Sequence, residues 1–203
     1  MEREVGLTGI GGQGVQLAAQ SLARGAAHEG RNVSLFGVYS GSMRGGRTDS
    51  SVVVADGPID APPLVSHFWS VIAMHDAFWR PSVEGRGVEV KLRPGSVVLR
   101  NSSTFDTDLD RELFRVFDVA ATEIALGLGN EMMGSMVMVG AIAGITGLLG
   151  LESAIEGMRQ SVPPHRTQHI ERNEAAIQAG FDTVSDRRLA APAWADTSAE
   201  VGA

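Results

Sequence analysis

The sequence contains no cysteine and only one lysine, Lys91. Without cysteine there is no disulfide framework, no thiol nucleophile and no thiolate-ligated zinc. An iron–sulfur cluster held by cysteine thiolates is excluded from this chain, so any such cluster belongs to a partner. The near absence of lysine leaves scattered arginines as the basic residues. With a net charge of -7 and a pI near 5.2, the chain is not expected to bind nucleic acid, which needs clustered cations. The N-terminus, MEREVGLTGIGGQG, lacks the long apolar core of a signal peptide. There is no H-E-x-x-H motif, no P-loop and no G-x-S-x-G elbow, and no catalytic triad or carboxylate pair stands out. No catalytic residue and no metal ligand is therefore assigned. His165 and His169 have a metal-ligand spacing, but Pro163 and Pro164 put His165 ahead of any helix, and both read as ordinary surface histidines. His75-Asp76, after a strand, is a candidate site wall.

What is present is a core for one domain: 203 residues, 43% of them hydrophobic. The stretch from Met132 to Leu151 carries no charge and is long enough for a membrane span. Its flanks, Glu131 and Glu152, are acidic, and no basic side marks an orientation. Its small residues suit a helix buried in protein, so no membrane span is expected. Asn130 is placed to cap that helix.

Strands are predicted at Glu4–Thr8, Asn32–Val38, Asp49–Ala55, Phe68–Met74, Gly95–Arg100 and Leu113–Val119. Helical spacing covers Val15–Glu29, closed by Gly30, and then Thr122–Leu128, Ser135–Leu149, Leu151–Ser161 and His169–Ala179, the last closed by Gly180. This alternation predicts a three-layer α/β, Rossmann-like fold with a mainly parallel sheet, and ligands at the carboxyl ends of its strands. Residues 1–186 are read as the domain and 187–203, rich in Ala, Pro and Asp, as a flexible tail.

Two loops carry the chemistry. Gly9-Ile10-Gly11-Gly12-Gln13-Gly14 lies between the first strand and the first helix, where glycines let a ligand approach the backbone and the helix start favours an anion. A nicotinamide site would place an acid at the end of the second strand, where Phe36-Gly37-Val38-Tyr39 stand instead. The alternative is a tight strand-to-helix turn that binds nothing. The second loop is Tyr39-Ser40-Gly41-Ser42-Met43-Arg44-Gly45-Gly46-Arg47, whose arginines can pair bidentately with phosphate or carboxylate. Its alternative is a surface loop with exposed ion pairs. Ser40, Arg44, Gly45 and Gly46 join Gly9, Gly11, Gly12, Gln13 and Gly14 as candidate cofactor-binding residues.

Taken together, the G-x-G-G-Q-G start, the Arg44-Gly45-Gly46 loop, the proline turn that follows and the late helix with Asn173, Ala176 and Gly180 resemble the gamma subunit or gamma domain of 2-oxoacid:ferredoxin oxidoreductases. That family includes the pyruvate, 2-ketoisovalerate, 2-oxoglutarate and indolepyruvate enzymes. The resemblance covers roughly residues 4 to 182. It implies a cytoplasmic, non-redox subunit in a complex that oxidatively decarboxylates a 2-oxoacid to an acyl-CoA. It also implies coenzyme A binding on this chain, thiamine diphosphate on partner alpha and beta subunits, and [4Fe–4S] clusters on a ferredoxin-like subunit, with ferredoxin as acceptor. Two departures are visible: Ser135 stands where many relatives have Asn, and Phe68-Trp69 where they often have Ala-Asp. A purely structural interaction subunit and a stand-alone nucleotide-binding oxidoreductase are the competing readings.

Overall fold

The computed structural model describes residues 1–39, 45–59, 65–80 and 87–195. Six strands, β1 (Glu2–Ile10), β2 (Asn32–Tyr39), β3 (Arg47–Ala55), β4 (Phe68–Ala73), β5 (Leu92–Asn101) and β6 (Arg115–Val119), form one sheet in the order β2-β3-β1-β4-β5-β6. The pairs β1–β4, β4–β5 and β5–β6 are parallel, whereas β3 is antiparallel to both β1 and β2. The α/β class and the mainly parallel sheet agree with the sequence.

The position of β3 does not follow from chain order. β1, the first helix and β2 make the expected crossover, but β3 turns back and inserts between the two strands. Burial explains the choice. β3 buries Val52 and Val54 on one face and Val53 on the other, and a strand apolar on both faces gains most from a central place. β2 leaves Leu35 and Phe36 exposed and takes the edge.

The five helices are α1 (Val15–His28), α2 (Ala121–Gly127), α3 (Gly134–Thr146), α4 (Leu151–Ser161) and α5 (Ile170–Thr183). Their buried side chains share one core with Val5, Leu7, Val52, Val54, Ile72, Val97 and Leu99 from a single face of the sheet. The other face packs under Phe68, Trp79, Val88, Phe105 and Phe114, none of which lies in a helix. The layers are thus the sheet, then α1 and α3 against it, then α4 and α5 outside them. Gly30 has φ 79° and closes α1 as expected.

Every residue of α3 is buried. At about 20 Å, its 13 residues fall short of the ~30 Å core of a bilayer. No helix among the described residues is long and apolar enough to cross a membrane. What α3 meets instead is α5 at close range. A Cβ at Gly140 would overlap the carbonyl oxygen of Ile177, and one at Gly180 that of Val137. Gly180 therefore does not close a helix, as its position had suggested: α5 runs on to Thr183, and Gly180 is the point where two backbones touch. A matching pair, Gly25 and Gly157, joins α1 to α4.

Residues 189–194 return to the helices. The amides of Leu189 and Ala193 donate to the carbonyls of Ile145 and Thr146, and Trp194 Nε1 to that of Leu148. Residues 196–203 lie outside the described residues.

Candidate ligand site

The carboxyl ends of β1, β4, β5 and β6 meet the starts of α1, α2 and α3. β1 runs into the first glycine loop, where Gly12 and Gly14 take φ values of 107° and 76° that disfavour any side chain. Gln13 braces the loop from inside: its Oε1 accepts the Ile10 amide at 3.0 Å and its Nε2 reaches the Met74 carbonyl at 3.4 Å. Gly9 sits beneath, where a Cβ would fall 2.7 Å from Gln13 Oε1. Gly11 donates its amide to the carbonyl of Gly46 at 2.8 Å, so the two glycine loops named from sequence are in direct contact. Among the described residues, a Cβ on Gly12 would have no atom within 4 Å.

Gly14 lies against the start of α3, where a Cβ would come 2.5 Å from Ser135 Oγ. The two helix starts therefore converge. Neither has a side-chain cap and neither carries an acid in its first turn. Both point positive dipole ends toward the same region, although the first amide of α3, that of Gly134, donates to the carbonyl of Glu131 in the preceding 3-10 turn.

The second loop is anchored through Asp49 at the start of β3. Its Oδ1 accepts Thr8 Oγ1 at 2.9 Å, its Oδ2 accepts Arg47 Nε at 2.6 Å, and its carbonyl takes Gln16 Nε2 at 3.0 Å. Gly45 has φ 82°. Ser40 and Arg44, the other candidates in this loop, lie outside the described residues.

A buried polar chain supports the floor, and the sequence reading missed it. Asn101, fully buried, donates through Nδ2 to Thr104 Oγ1 at 2.8 Å and to Thr122 Oγ1 at 2.9 Å. Thr104 Oγ1 in turn donates to the Met74 carbonyl at 2.6 Å, the same carbonyl that Gln13 reaches. The signal for it was the polar run Asn101-Ser102-Ser103-Thr104 directly after a strand. Asn130 does cap, but the cap serves the short 3-10 turn Glu131–Met133 that leads into α3.

His75 and Asp76 follow β4 and are occupied locally. His75 Nδ1 accepts the Ala77 amide, and Asp76 Oδ2 accepts the Asp106 amide and Thr107 Oγ1. His165 and His169 are exposed in a 3-10 segment, Pro164–His169. Among the described residues no group of three His, Cys, Asp or Glu side chains is placed to hold a metal ion. The arrangement offers amides, dipole ends and open glycine surface, which is chemistry for holding an anion.

A family model described as pyruvate ferredoxin/flavodoxin oxidoreductase matches residues 4–183. The 2-oxoglutarate synthase subunit KorC of Methanothermobacter marburgensis is 29% identical over 189 residues, covering 92% of this chain and 98% of its own. The gamma subunit of a keto/oxoacid ferredoxin oxidoreductase from Geobacter sulfurreducens has the same fold, with a TM-score of 0.74 at 24% identity over 93% of this chain and 99% of that one. The 2-oxoglutarate:ferredoxin oxidoreductase of Magnetococcus marinus, solved with 2-oxoglutarate, coenzyme A and succinyl-CoA bound, matches 95% of this chain with 32% of its own. Its TM-score is 0.77 at 15% identity.

Proposed function

The chain belongs to the pyruvate ferredoxin/flavodoxin oxidoreductase family and is a subunit of a 2-oxoacid:ferredoxin oxidoreductase, and on that footing we propose that its two glycine loops hold the phosphates of coenzyme A. The observation that carries this reading is the bond from Gly11 to Gly46, which joins both loops beside the converging starts of α1 and α3. Anionic oxygens are stabilised at such helix starts by roughly 0.3–1 kcal/mol each, and by up to ~2 kcal/mol where partly buried. Gly12 adds no side chain to the approach. Arg44, two residues before Gly46, supplies the guanidinium, whose charge-assisted bonds to phosphate are worth about 1.5–3 kcal/mol.

The complex decarboxylates a 2-oxoacid, transfers the acyl group to the thiol of coenzyme A and passes two electrons to ferredoxin. Thiamine diphosphate, on the partner alpha and beta subunits, supplies the carbanion chemistry, and clusters on a ferredoxin-like subunit carry the electrons. This chain holds and orients the coenzyme and bridges the catalytic subunits. The Magnetococcus enzyme, with coenzyme A bound, supports the reading.

The arrangement also weighs against a nicotinamide site. With β3 between β1 and β2, the end of β2 stands one strand further from the glycine loop than a ribose-binding acid requires.

Calorimetric titration of coenzyme A into the assembled complex tests the proposal. The Gly12→Val complex is expected to bind at least about tenfold more weakly. Unchanged binding by a fully assembled Gly12→Val complex would sink it.

A further inference from the structure

A cavity of about 710 Å³ opens at the other end of the sheet, where β1, β4 and β5 begin. It is separated from the glycine loops by the length of β1, roughly 26 Å at ~3.3 Å per residue. Its volume lies in the range of small-molecule sites, about 300–1,000 Å³. Trp69 supplies aromatic wall on the helix side of the sheet, and Phe68, largely buried, lines the opening from the other side.

The charge in this cavity departs from that of the chain. Arg3, Arg93 and Arg115 all line it, together with His67, in a protein of net charge -7. Arg3 lies over the Trp69 ring at 5.0 Å and donates through Nε to the carbonyl of Ala193. Arg93 Nη2 is 2.8 Å from His67 Nδ1, and Arg115 Nε donates to the Gly95 carbonyl at 3.2 Å. Among the described residues, none of these three guanidiniums sits in an ion pair, whereas Arg47, Arg100, Arg111 and Arg159 all do. Glu2 and Glu4 also line the opening, from the face of β1 opposite to Arg3 and Trp69. Burial pushes the Glu4 carboxyl up and the Arg3 guanidinium down, so the inner wall is partly desolvated.

We propose that this cavity is a second ligand site, built for a nucleoside phosphate. Arg93 and Arg115, exposed at the rim, meet the phosphates. The base lies along Trp69. The site stands apart from the glycine loops in residues, in position and in charge, and the proposal does not depend on what those loops bind.

ADP is the probe, titrated into the purified full chain and followed by calorimetry and by tryptophan fluorescence. The expected result is a saturable site that persists in the Gly12→Val chain. Its fluorescence change disappears in Trp69→Phe, and Arg93→Ala with Arg115→Ala weakens it about tenfold or more. Both arginines are exposed, and an unchanged thermal melt shows that the fold survives their loss. Gly12→Val is expected to leave ADP binding intact. The proposal is overturned if ADP does not saturate at millimolar concentration, if the double arginine variant binds it as well as wild type, or if Gly12→Val abolishes it.

Discussion

Ser135 Oγ stands where a side chain on Gly14 would have to go, 2.5 Å from the position of its Cβ. This pairing locks the start of α1 to the start of α3, and the two helix dipoles are aimed at one region because no side chain separates them.

Gly14→Ala therefore meets two costs. The φ of 76° disfavours any L side chain by about 1–2 kcal/mol, and the methyl collides with Ser135. Adding Ser135→Ala removes the collision and leaves the backbone strain. Urea melts of the two single variants and the double are expected to show partial recovery in the double, with a coupling of about 0.5 kcal/mol or more. Strict additivity would mean that the two helix starts do not bear on each other.

The crossing of α3 and α5 predicts a second outcome. Alanine in place of Gly140 should favour an isolated helix by ~1 kcal/mol. Its methyl, however, overlaps a backbone carbonyl of α5, which cannot swing aside as a side-chain end could. Separation of the helices then wins, at a net cost of about 1–3 kcal/mol. Gly180→Ala should behave alike, because its methyl meets the carbonyl of Val137. A melting temperature at or above wild type for either variant would contradict the packing described.

The edge of the sheet carries a pH dependence. Burial pushes the Asp118 carboxyl up, but bonds from Arg100 at 2.6 Å and Arg111 outweigh it and hold the group below the usual carboxylate range. A carboxylate depressed in the folded state adds stability above its unfolded pKa, and that stability is lost as pH falls through the folded value. Asp118→Asn should thus be less stable than wild type at pH 7, and the gap should close once the wild-type carboxylate is protonated. Denaturant melts across that range check this, and a gap constant with pH would show that the arginines contribute nothing through charge.

Local elements were legible because each is written in a short window. The β3 run Val52-Val53-Val54, the helical spacing of Val15, Ala18, Ala19 and Leu22, and the left-handed Gly30 were each read where they occur. Strand order was not legible, since the place of β3 between β1 and β2 depends on burial summed over the whole sheet. Gly180 misled for a related reason: a glycine near the end of a helical pattern looks the same whether it closes the helix or admits a neighbour. In the site, both glycine loops were read from their composition, and the structure joins them through Gly11 and Gly46. The Asn101–Thr122 bond was hidden because its partners are brought together only by β5, β6 and α2.

Whether this chain holds coenzyme A for its complex is tested most directly at Arg44. In the assembled enzyme, with 2-oxoacid oxidation followed by ferredoxin reduction, Arg44→Ala is expected to raise the apparent KM for coenzyme A about tenfold or more. The KM for the 2-oxoacid should stay unchanged, on the proposal that its pocket belongs to the partners. An unchanged KM for coenzyme A in an Arg44→Ala complex of normal composition and iron content would contradict the claim.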